Sequence, residues 1–129
     1  MSESFNYKVV TPERIYLEGE AAMVVVPGIE GDIGFLSSHS NLITSMRPGL
    51  IKLKDSHEKD NTLFVEEGFV KFSKNELLIL AVGIDDEKSI NAEFINEKVN
   101  RLTEVLENAE DGKKSKIQNK IDSLKLLIN

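Results

Sequence analysis

The sequence predicts a mostly antiparallel β-sandwich over residues 1–84, a short linker over 85–89, and a C-terminal antiparallel two-helix hairpin over 90–129. Three observations support this division. β-Branched and aromatic residues recur in short runs punctuated by Gly, Pro and Asn through the first two thirds of the chain. Five consecutive charged or polar residues follow at 85–89. Beyond them the apolar residues repeat at steps of three and four, which is the spacing of one helix face.

Seven runs in the first part are predicted strands, and consecutive strands are expected to pair antiparallel. Two turns are predicted, at Glu67-Gly68, where Gly reaches positive φ easily, and at Lys74-Asn75. Val24 to Val26 and Leu77 to Leu80 are apolar throughout, which indicates strands covered on both faces by another element or another subunit. The predicted strands are Phe5 to Val10, Arg14 to Leu17, Ala22 to Val26, Leu50 to Lys54, Thr62 to Glu66, Phe69 to Ser73 and Glu76 to Val82.

The segment from Pro27 to Gly49 is rich in Gly and Pro and is predicted to be a set of tight turns. A phosphate-binding loop is disfavoured here, because its glycine spacing matches no nucleotide fingerprint and because Glu30 and Asp32 would repel an anion. A nucleophile and base within Ser37 to His39 are also disfavoured, because adjacent residues in a turn rarely reach that geometry. We therefore predict no catalytic residue in this segment.

The composition excludes several functional classes. The formal net charge of -6 argues against nucleic acid as a partner, since such binding depends on a surplus of Lys and Arg. The chain contains no Cys and only two His, His39 and His57, so no redox centre, metal or cofactor is predicted. No apolar run approaches the length of a membrane-spanning helix, and the N-terminus lacks a secretory signal. We expect a cytosolic protein that binds other proteins and does not insert into a membrane.

Two amphipathic helices are predicted after the linker. Asn91 is the expected N-cap of the first, and Glu110-Asp111-Gly112 is its expected stop, with Gly112 in the left-handed conformation. A connection of about three to five residues makes antiparallel pairing the economical arrangement. Two short helices bury little apolar surface against the entropy of ordering them, so we expect a marginally stable hairpin. The two apolar stripes are Ile95, Val99, Leu102, Leu106 and Ala109, then Ile117, Ile121, Leu124 and Ile128.

The second helix is basic although the whole chain is acidic. Its only acid in this assignment is Asp122, and a run of lysines of this kind is usually a solvated helix face. The lysines are Lys113, Lys114, Lys116, Lys120 and Lys125.

The turn-rich segment also contains a long ordered motif. It has the form G-x-x-G-x-aliphatic-G, then an aromatic or aliphatic residue, then H-x-x-aliphatic-aliphatic-T, and it ends in P-G. Flanking matches lie at Val9 to Glu13, Phe64 to Val70 and Leu80-Ala81. On these residues the chain resembles the epsilon subunits of bacterial F-type ATP synthases along nearly its whole length. The matching motif residues are Gly28, Gly31, Ile33, Gly34, Phe35, His39, Leu42, Ile43, Thr44, Pro48 and Gly49.

The resemblance implies a non-catalytic rotor subunit whose sandwich lies between the gamma subunit and the polar loops of the c-ring. Glu30 and Asp32 would then belong to the acidic loop that faces the c-ring, and His39 would lie at a position of rotor contact. The hairpin would be a mobile arm that blocks ATP hydrolysis when it extends into the catalytic head. The lysines of the second helix would contact acidic loops of the alpha and beta subunits there. The location implied is the cytoplasmic face of the bacterial inner membrane, as a peripheral subunit.

One motif of the family is absent. Some members bind ATP through I-D-x-x-R-A at the start of the first helix, whereas this chain has Ile90-Asn91-Ala92-Glu93-Phe94-Ile95, which lacks the acid, the arginine and the alanine. We therefore predict no useful ATP binding.

A free-standing β-sandwich binding module with a helical dimerisation tail is the alternative function. A sugar-binding module usually has exposed Trp or Tyr side chains on which the sugar ring stacks. This chain has no Trp, and its two Tyr lie in predicted strands, so the sequence gives little support to sugar binding.

Overall fold

The computed structural model describes residues 3–128, which form two compact units, one ending at Glu87 and one beginning at Lys88. The first unit is a β-sandwich and the second contains two α-helices, as the sequence predicts. Short 3-10 helices cover Glu87–Ser89 and Leu126–Ile128. The elements are β1 Phe5–Val10, β2 Ile15–Gly28, β3 Gly31–Phe35, β4 Leu42–Met46, β5 Gly49–Asp55, β6 Asp60–Ser73, β7 Glu76–Asp86, α1 Ala92–Glu107 and α2 Asp111–Lys125.

Five strands of the sandwich pair in a closed circuit. β1 pairs with β2, β2 with β5, β5 with β6 and β6 with β7, all antiparallel. β7 then pairs with β1 in parallel, from Asn6 opposite Glu76 to Val10 opposite Leu80. β3 adds to β2, and β4 adds to β6. The prediction of a mostly antiparallel sandwich is confirmed, and its one parallel pair joins the first strand to the last.

The core lies inside this circuit and follows the two-residue alternation of strands. In β1, Phe5, Tyr7 and Val9 are buried while the residues between them are exposed. On the outer side of β7, where cover by another element or another subunit was predicted, no element of the described sandwich covers Leu80, which is 45% exposed, and Leu78 is half-buried. The apolar run of β7 therefore presents one face to the core and leaves the other open to solvent.

Gly68 is not a hairpin turn, and the prediction at Glu67-Gly68 is wrong. β6 runs through it without interruption, and Gly68 pairs with Ala81 of β7 and with Met46 of β4. Its φ is 152°, and a Cβ there would lie 2.0 Å from the carbonyl oxygen of Leu80. The glycine therefore permits a close approach of two strands. The turn at Lys74-Asn75 is confirmed, with positive φ at both residues.

Two further corrections concern strand limits. Arg14 to Leu17 and Ala22 to Val26 were predicted as separate strands, but β2 runs unbroken from Ile15, because pairing with β1 continues through the polar stretch around Gly19. The segment from Pro27 to Gly49 contains the end of β2 and two short strands, β3 and β4, between its turns.

The predicted linker at 85–89 is instead regular structure, the end of β7 followed by the 3-10 helix Glu87–Ser89. Asp85 and Asp86 complete β7, where they lie opposite Phe64 and Leu63 of β6. Strand pairing of the backbone thus overrides the low strand propensity of aspartate.

Of the two predicted ends of α1, the start is confirmed and the stop is wrong. Asn91 caps α1 as predicted, because its side-chain oxygen accepts a hydrogen bond of 2.8 Å from the backbone N–H of Phe94. The stop at Glu110-Asp111-Gly112 is wrong: α1 ends at Glu107, and Gly112 lies in the first turn of α2. α1 and α2 pack on each other through four buried side chains, Ile95, Val99, Ile121 and Leu124.

Candidate partner-binding surfaces

The outer face of β4, β6 and β7 carries large exposed apolar side chains. Phe69 lies directly opposite Leu80, and Leu80 lies opposite Val10 of β1, so these side chains form one row across three strands. Ile43 of β4 is 68% exposed and Phe69 is 57% exposed. We call this surface the outer-sheet patch. Its residues are Val10, Ile43, Phe69, Leu78, Leu80 and Val82.

Two lysines accompany the outer-sheet patch. Lys71 of β6 and Lys8 of β1 both lie opposite Leu78, and Lys71 also lies opposite Ile43. Both lysines are exposed. The surface therefore combines apolar contact area with positive charge, and exposed apolar clusters on small proteins commonly mark protein-binding sites.

A cleft of about 370 Å³ opens at the edge of this surface. The β1–β2 turn, Thr11 to Arg14, forms one wall, and Val82 to Ile84 of β7 form the other. The Arg14 guanidinium lies 5.2 Å from the centre of the Tyr16 ring, which also lines the cleft. The cleft shares Val82 with the outer-sheet patch and so extends it toward the β1–β2 turn.

The two acids predicted to face a partner lie in different environments. Gly28 pairs with Gly31, so Ile29 and Glu30 form the apex of the β2–β3 turn, and both are exposed. Asp32 lies one residue beyond the turn, where its Oδ1 is 2.6 Å from Nη2 of Arg47. Both acids are exposed, but Glu30 lies at the tip of the turn, whereas Asp32 forms an ion pair with Arg47.

His39 is half-buried and packs against aromatic rings. Its ring lies 4.8 Å from that of Phe35 and 5.4 Å from that of Phe72. Its Nδ1 is 2.6 Å from the carbonyl oxygen of Ser40, which can only accept. Nδ1 therefore carries the proton in the neutral ring, and Nε2 is left as an acceptor.

Asn75 fixes the loop that contains His39. Its Oδ1 accepts a hydrogen bond of 2.8 Å from the backbone N–H of Ser38, and its Nδ2 donates to the carbonyl oxygen of Ser4 at 3.3 Å. The β6–β7 turn therefore ties the start of β1 to the loop before β4. This role of Asn75 could not be predicted from the sequence, since the three segments meet only in the fold.

The five lysines of α2 lie on both sides of its apolar stripe. With about 100° of rotation per residue, Lys113, Lys116 and Lys120 flank one side, and Lys114 and Lys125 flank the other. α2 also contains a second acid, Asp111, whose Oδ1 lies 3.5 Å from Nζ of Lys114. The prediction of a single acid missed Asp111, because that residue was assigned to the connection.

The pKa values of Asp55 and Tyr7 are shifted by their surroundings. Backbone N–H groups of Lys59 and His57 donate to Asp55 Oδ1 at 2.9 and 2.8 Å, and these bonds lower the pKa of the carboxyl group. Burial raises the pKa of Tyr7, and the charge of Asp55 adds to that shift. Asp55 ends β5 and Tyr7 is a buried residue of β1, so neither group belongs to the outer-sheet patch.

Within residues 3–128, no three His, Asp or Glu side chains come together as metal ligands. None of the helices described between these limits is long and apolar enough to cross a membrane.

Comparison with known proteins identifies relatives along the whole chain. The family profile described as ATP synthase, Delta/Epsilon chain, beta-sandwich domain matches residues 4–85. The ATP synthase epsilon chain of Pelagibacter ubique is 37% identical over 130 residues, which cover 98% of this chain and 99% of that protein. The ATP synthase epsilon chain of Parvibaculum lavamentivorans is 30% identical over 128 residues, covering 98% and 97%.

Two solved structures share the fold at low identity. A chain of the Euglena gracilis mitochondrial ATP synthase superposes with a TM-score of 0.74 at 14% identity, over 94% of this chain and 77% of that one. A chain from the central stalk and c-ring structure of the Tetrahymena thermophila mitochondrial ATP synthase gives a TM-score of 0.61 at 17% identity, over 71% and 73%.

Proposed function

The chain belongs to the family of F-type ATP synthase epsilon subunits, and from this membership we propose that it is a non-catalytic rotor subunit of the central stalk. It couples the gamma subunit to the c-ring of the proton-translocating enzyme. It lies at the cytoplasmic face of the bacterial inner membrane, as a peripheral subunit.

The outer-sheet patch is the observation that carries this proposal. Phe69 and Leu80 lie side by side and are about half exposed, so a partner that covers them gains burial of apolar area. Full burial of such a side chain is worth roughly 1.5 to 3 kcal/mol before the costs of association. From the family resemblance, we propose the gamma subunit as the partner that covers this face. Lys8 and Lys71 favour acidic side chains on the surface of gamma that meets them.

The β2–β3 turn is the surface proposed for the c-ring. Its apex presents an exposed carboxylate at Glu30, with Asp32 and Arg47 immediately behind it. His39 lies in the loop at the other end of β3, and it is proposed to contact the rotor separately from this turn. Added salt should weaken the contact of Glu30, because salt screens exposed charges. The Debye length is about 8 Å at physiological ionic strength and becomes shorter as salt is added.

The helical unit is proposed to act as an inhibitory arm. The lysines that flank the apolar stripe of α2 would meet acidic loops of the alpha and beta subunits when the arm extends into the catalytic head. Among the described residues of the helical unit, 88–128, four are buried, Ile95, Val99, Ile121 and Leu124, so we expect the free-energy differences between alternative placements to be small.

A binding measurement tests the gamma surface. Phe69→Ser and Leu80→Ser should each weaken the complex with gamma at least about tenfold, because each removes apolar contact area. Met23→Ser is the matched control, since Met23 is 40% exposed on β2 but lies outside the outer-sheet patch. Equal effects of all three substitutions, or none, would contradict the assignment of this face.

Truncation after Ser89 tests the arm. ATP hydrolysis by the reconstituted complex should rise when the helices are removed, while gamma binding should persist. Unchanged hydrolysis would leave the helical unit with a structural role only.

A further inference from the structure

Arg47 makes three contacts that together close the base of the β2–β3 turn. Its Nη2 lies 2.6 Å from Oδ1 of Asp32, and its Nη1 donates to the carbonyl oxygen of Gly28 at 2.5 Å. Its backbone N–H donates to the carbonyl oxygen of Pro27 at 2.9 Å. Arg47, the residue that follows β4, therefore binds both strands of the β2–β3 hairpin.

The backbone at the apex is anchored from the same side. The N–H of Ile29 donates to the carbonyl oxygen of Ser45 at 2.9 Å, and Gly28 pairs with Met46. Gly28 has no room for a side chain, because a Cβ would lie 2.6 Å from the carbonyl oxygen of Gly31. The orientation of the apex therefore depends on its contacts with the end of β4 and with Arg47, which follows that strand.

We propose that Arg47 is a positioning residue that binds Asp32 at the base of the turn and leaves Ile29 and Glu30 as the pair that contacts the partner. Asp32 is 65% exposed but is bound by Arg47, so the two acids of this loop have separate roles. Asp32 stabilises the turn through a charge-assisted hydrogen bond, and Glu30 supplies the free charge at the apex.

The chemistry of the apex defines what it binds. Ile29 is 57% exposed and lies next to the Glu30 carboxylate. An arginine or lysine side chain fits this pair, because its aliphatic stem covers Ile29 while its charged end meets Glu30. The identification of the c-ring polar loops as the source of that side chain rests on the proposed function, whereas the role of Arg47 in the turn does not.

Amide exchange in the free protein tests the positioning role without any partner. In Arg47→Gln, the amides of residues 29 and 47 should exchange roughly threefold to tenfold faster, because the contacts of the guanidinium are lost. Asp32→Asn should accelerate the same amides, and Arg47→Lys should fall between the wild type and Arg47→Gln. Lys54→Gln, an exposed cation on β5, is the matched control and should change neither rate. Unaltered exchange in Arg47→Gln would overturn the role assigned to Arg47.

The salt dependence of c-ring binding by the full chain in complex with gamma separates the two acids. Glu30→Gln should lower the affinity and flatten its dependence on salt, because it removes the contacting charge. Asp32→Asn and Arg47→Gln should lower the affinity but keep the wild-type salt dependence, and the double variant should be no weaker than the weaker-binding single variant. Ile29→Ser should also bind less tightly.

A flattened salt dependence in Asp32→Asn would show that Asp32 itself meets the ring, and would overturn the division of roles. Wild-type complex that fails to bind the ring would refute the ring as partner, while the exchange measurements would still decide the role of Arg47.

Discussion

At the scale of single residues, Gly68 is the glycine of the described sandwich at which an added Cβ would have the closest neighbour. Gly68→Ala should destabilise the sandwich by about 2 to 4 kcal/mol, because the new methyl would collide with the Leu80 carbonyl oxygen 2.0 Å away, and because φ is 152°. Urea unfolding monitored by strand circular dichroism measures the loss.

Gly112→Ala is the matched control for that substitution. No atom lies within 4 Å of the added Cβ, and Gly112 is in the first turn of α2. The change should be neutral or should stabilise the helices by up to about 1 kcal/mol, as alanine favours helix over glycine. Similar destabilisation by both substitutions would show that the close contact at Gly68 is not the cause.

Asp55 should make the sandwich sensitive to acid. Its pKa in the folded protein lies below the ordinary value of 3.8, so the stabilisation it provides is complete above that pH and is lost as the pH falls below it through the folded pKa. The stability gap between the wild type and Asp55→Asn should therefore shrink as the pH is lowered through this window. Denaturant midpoints over a pH series measure the gap, with Asp60→Asn on the same hairpin as the control. A gap that stays constant would contradict the role of the Asp55 hydrogen bonds.

Residue roles could be predicted from the sequence where the cause is local. The Lys74-Asn75 turn and the Asn91 cap depend on residues within three positions, and both are as predicted. Gly68 was assigned to a hairpin turn and Arg47 was given no role, because their actual roles depend on strands that approach from distant parts of the chain.

At the scale of elements, the start of α1 depends on one side chain. Asn91→Ala should destabilise the helical unit by about 1 kcal/mol, because the N–H of Phe94 loses its acceptor. Asn100→Ala makes the same chemical change at an exposed position inside α1, where alanine is the better helix former, and should be neutral or stabilising. Amide exchange along α1 measures both, and a loss of the same size at the two sites would rule out capping as the explanation.

The short strands were the elements hardest to predict. β3 contains two glycines in five residues, and it is a strand because β2 supplies a partner at every position from Val24 to Gly28. β4 likewise takes its register from the second half of β6. Local propensity at these positions favours turns, and tertiary pairing overrides it.

At the scale of the whole molecule, the pairing of β1 with β7 decides which fragments fold. A chain ending at Asn75 lacks β7 and should stay unfolded, because both β1 and β6 lose a neighbouring strand. A chain ending at Ser89 keeps the full circuit and should fold. Protease resistance and amide spectra distinguish the two, and a folded fragment ending at Asn75 would show that the circuit need not close.

The charge distribution also differs between the two units. Up to Glu87 the acids exceed the bases by seven, whereas from Lys88 onward the bases exceed the acids by one.

The order of a strand-rich part and a helical part could be predicted from periodicity alone. The parallel contact of the first and last strands could not, because its residues are seventy positions apart, as Asn6 and Glu76 are.

That same contact bears on how the protein is made. During synthesis at about 5 to 20 residues per second, the first strand leaves the ribosome seconds before its last neighbour is translated. Through that interval Phe5, Tyr7 and Val9 have β2 beside them and lack the strand that completes their burial. The nascent chain is then open to chaperones and proteases until translation passes β7, so the sandwich can bind a partner subunit only after it has been translated in full.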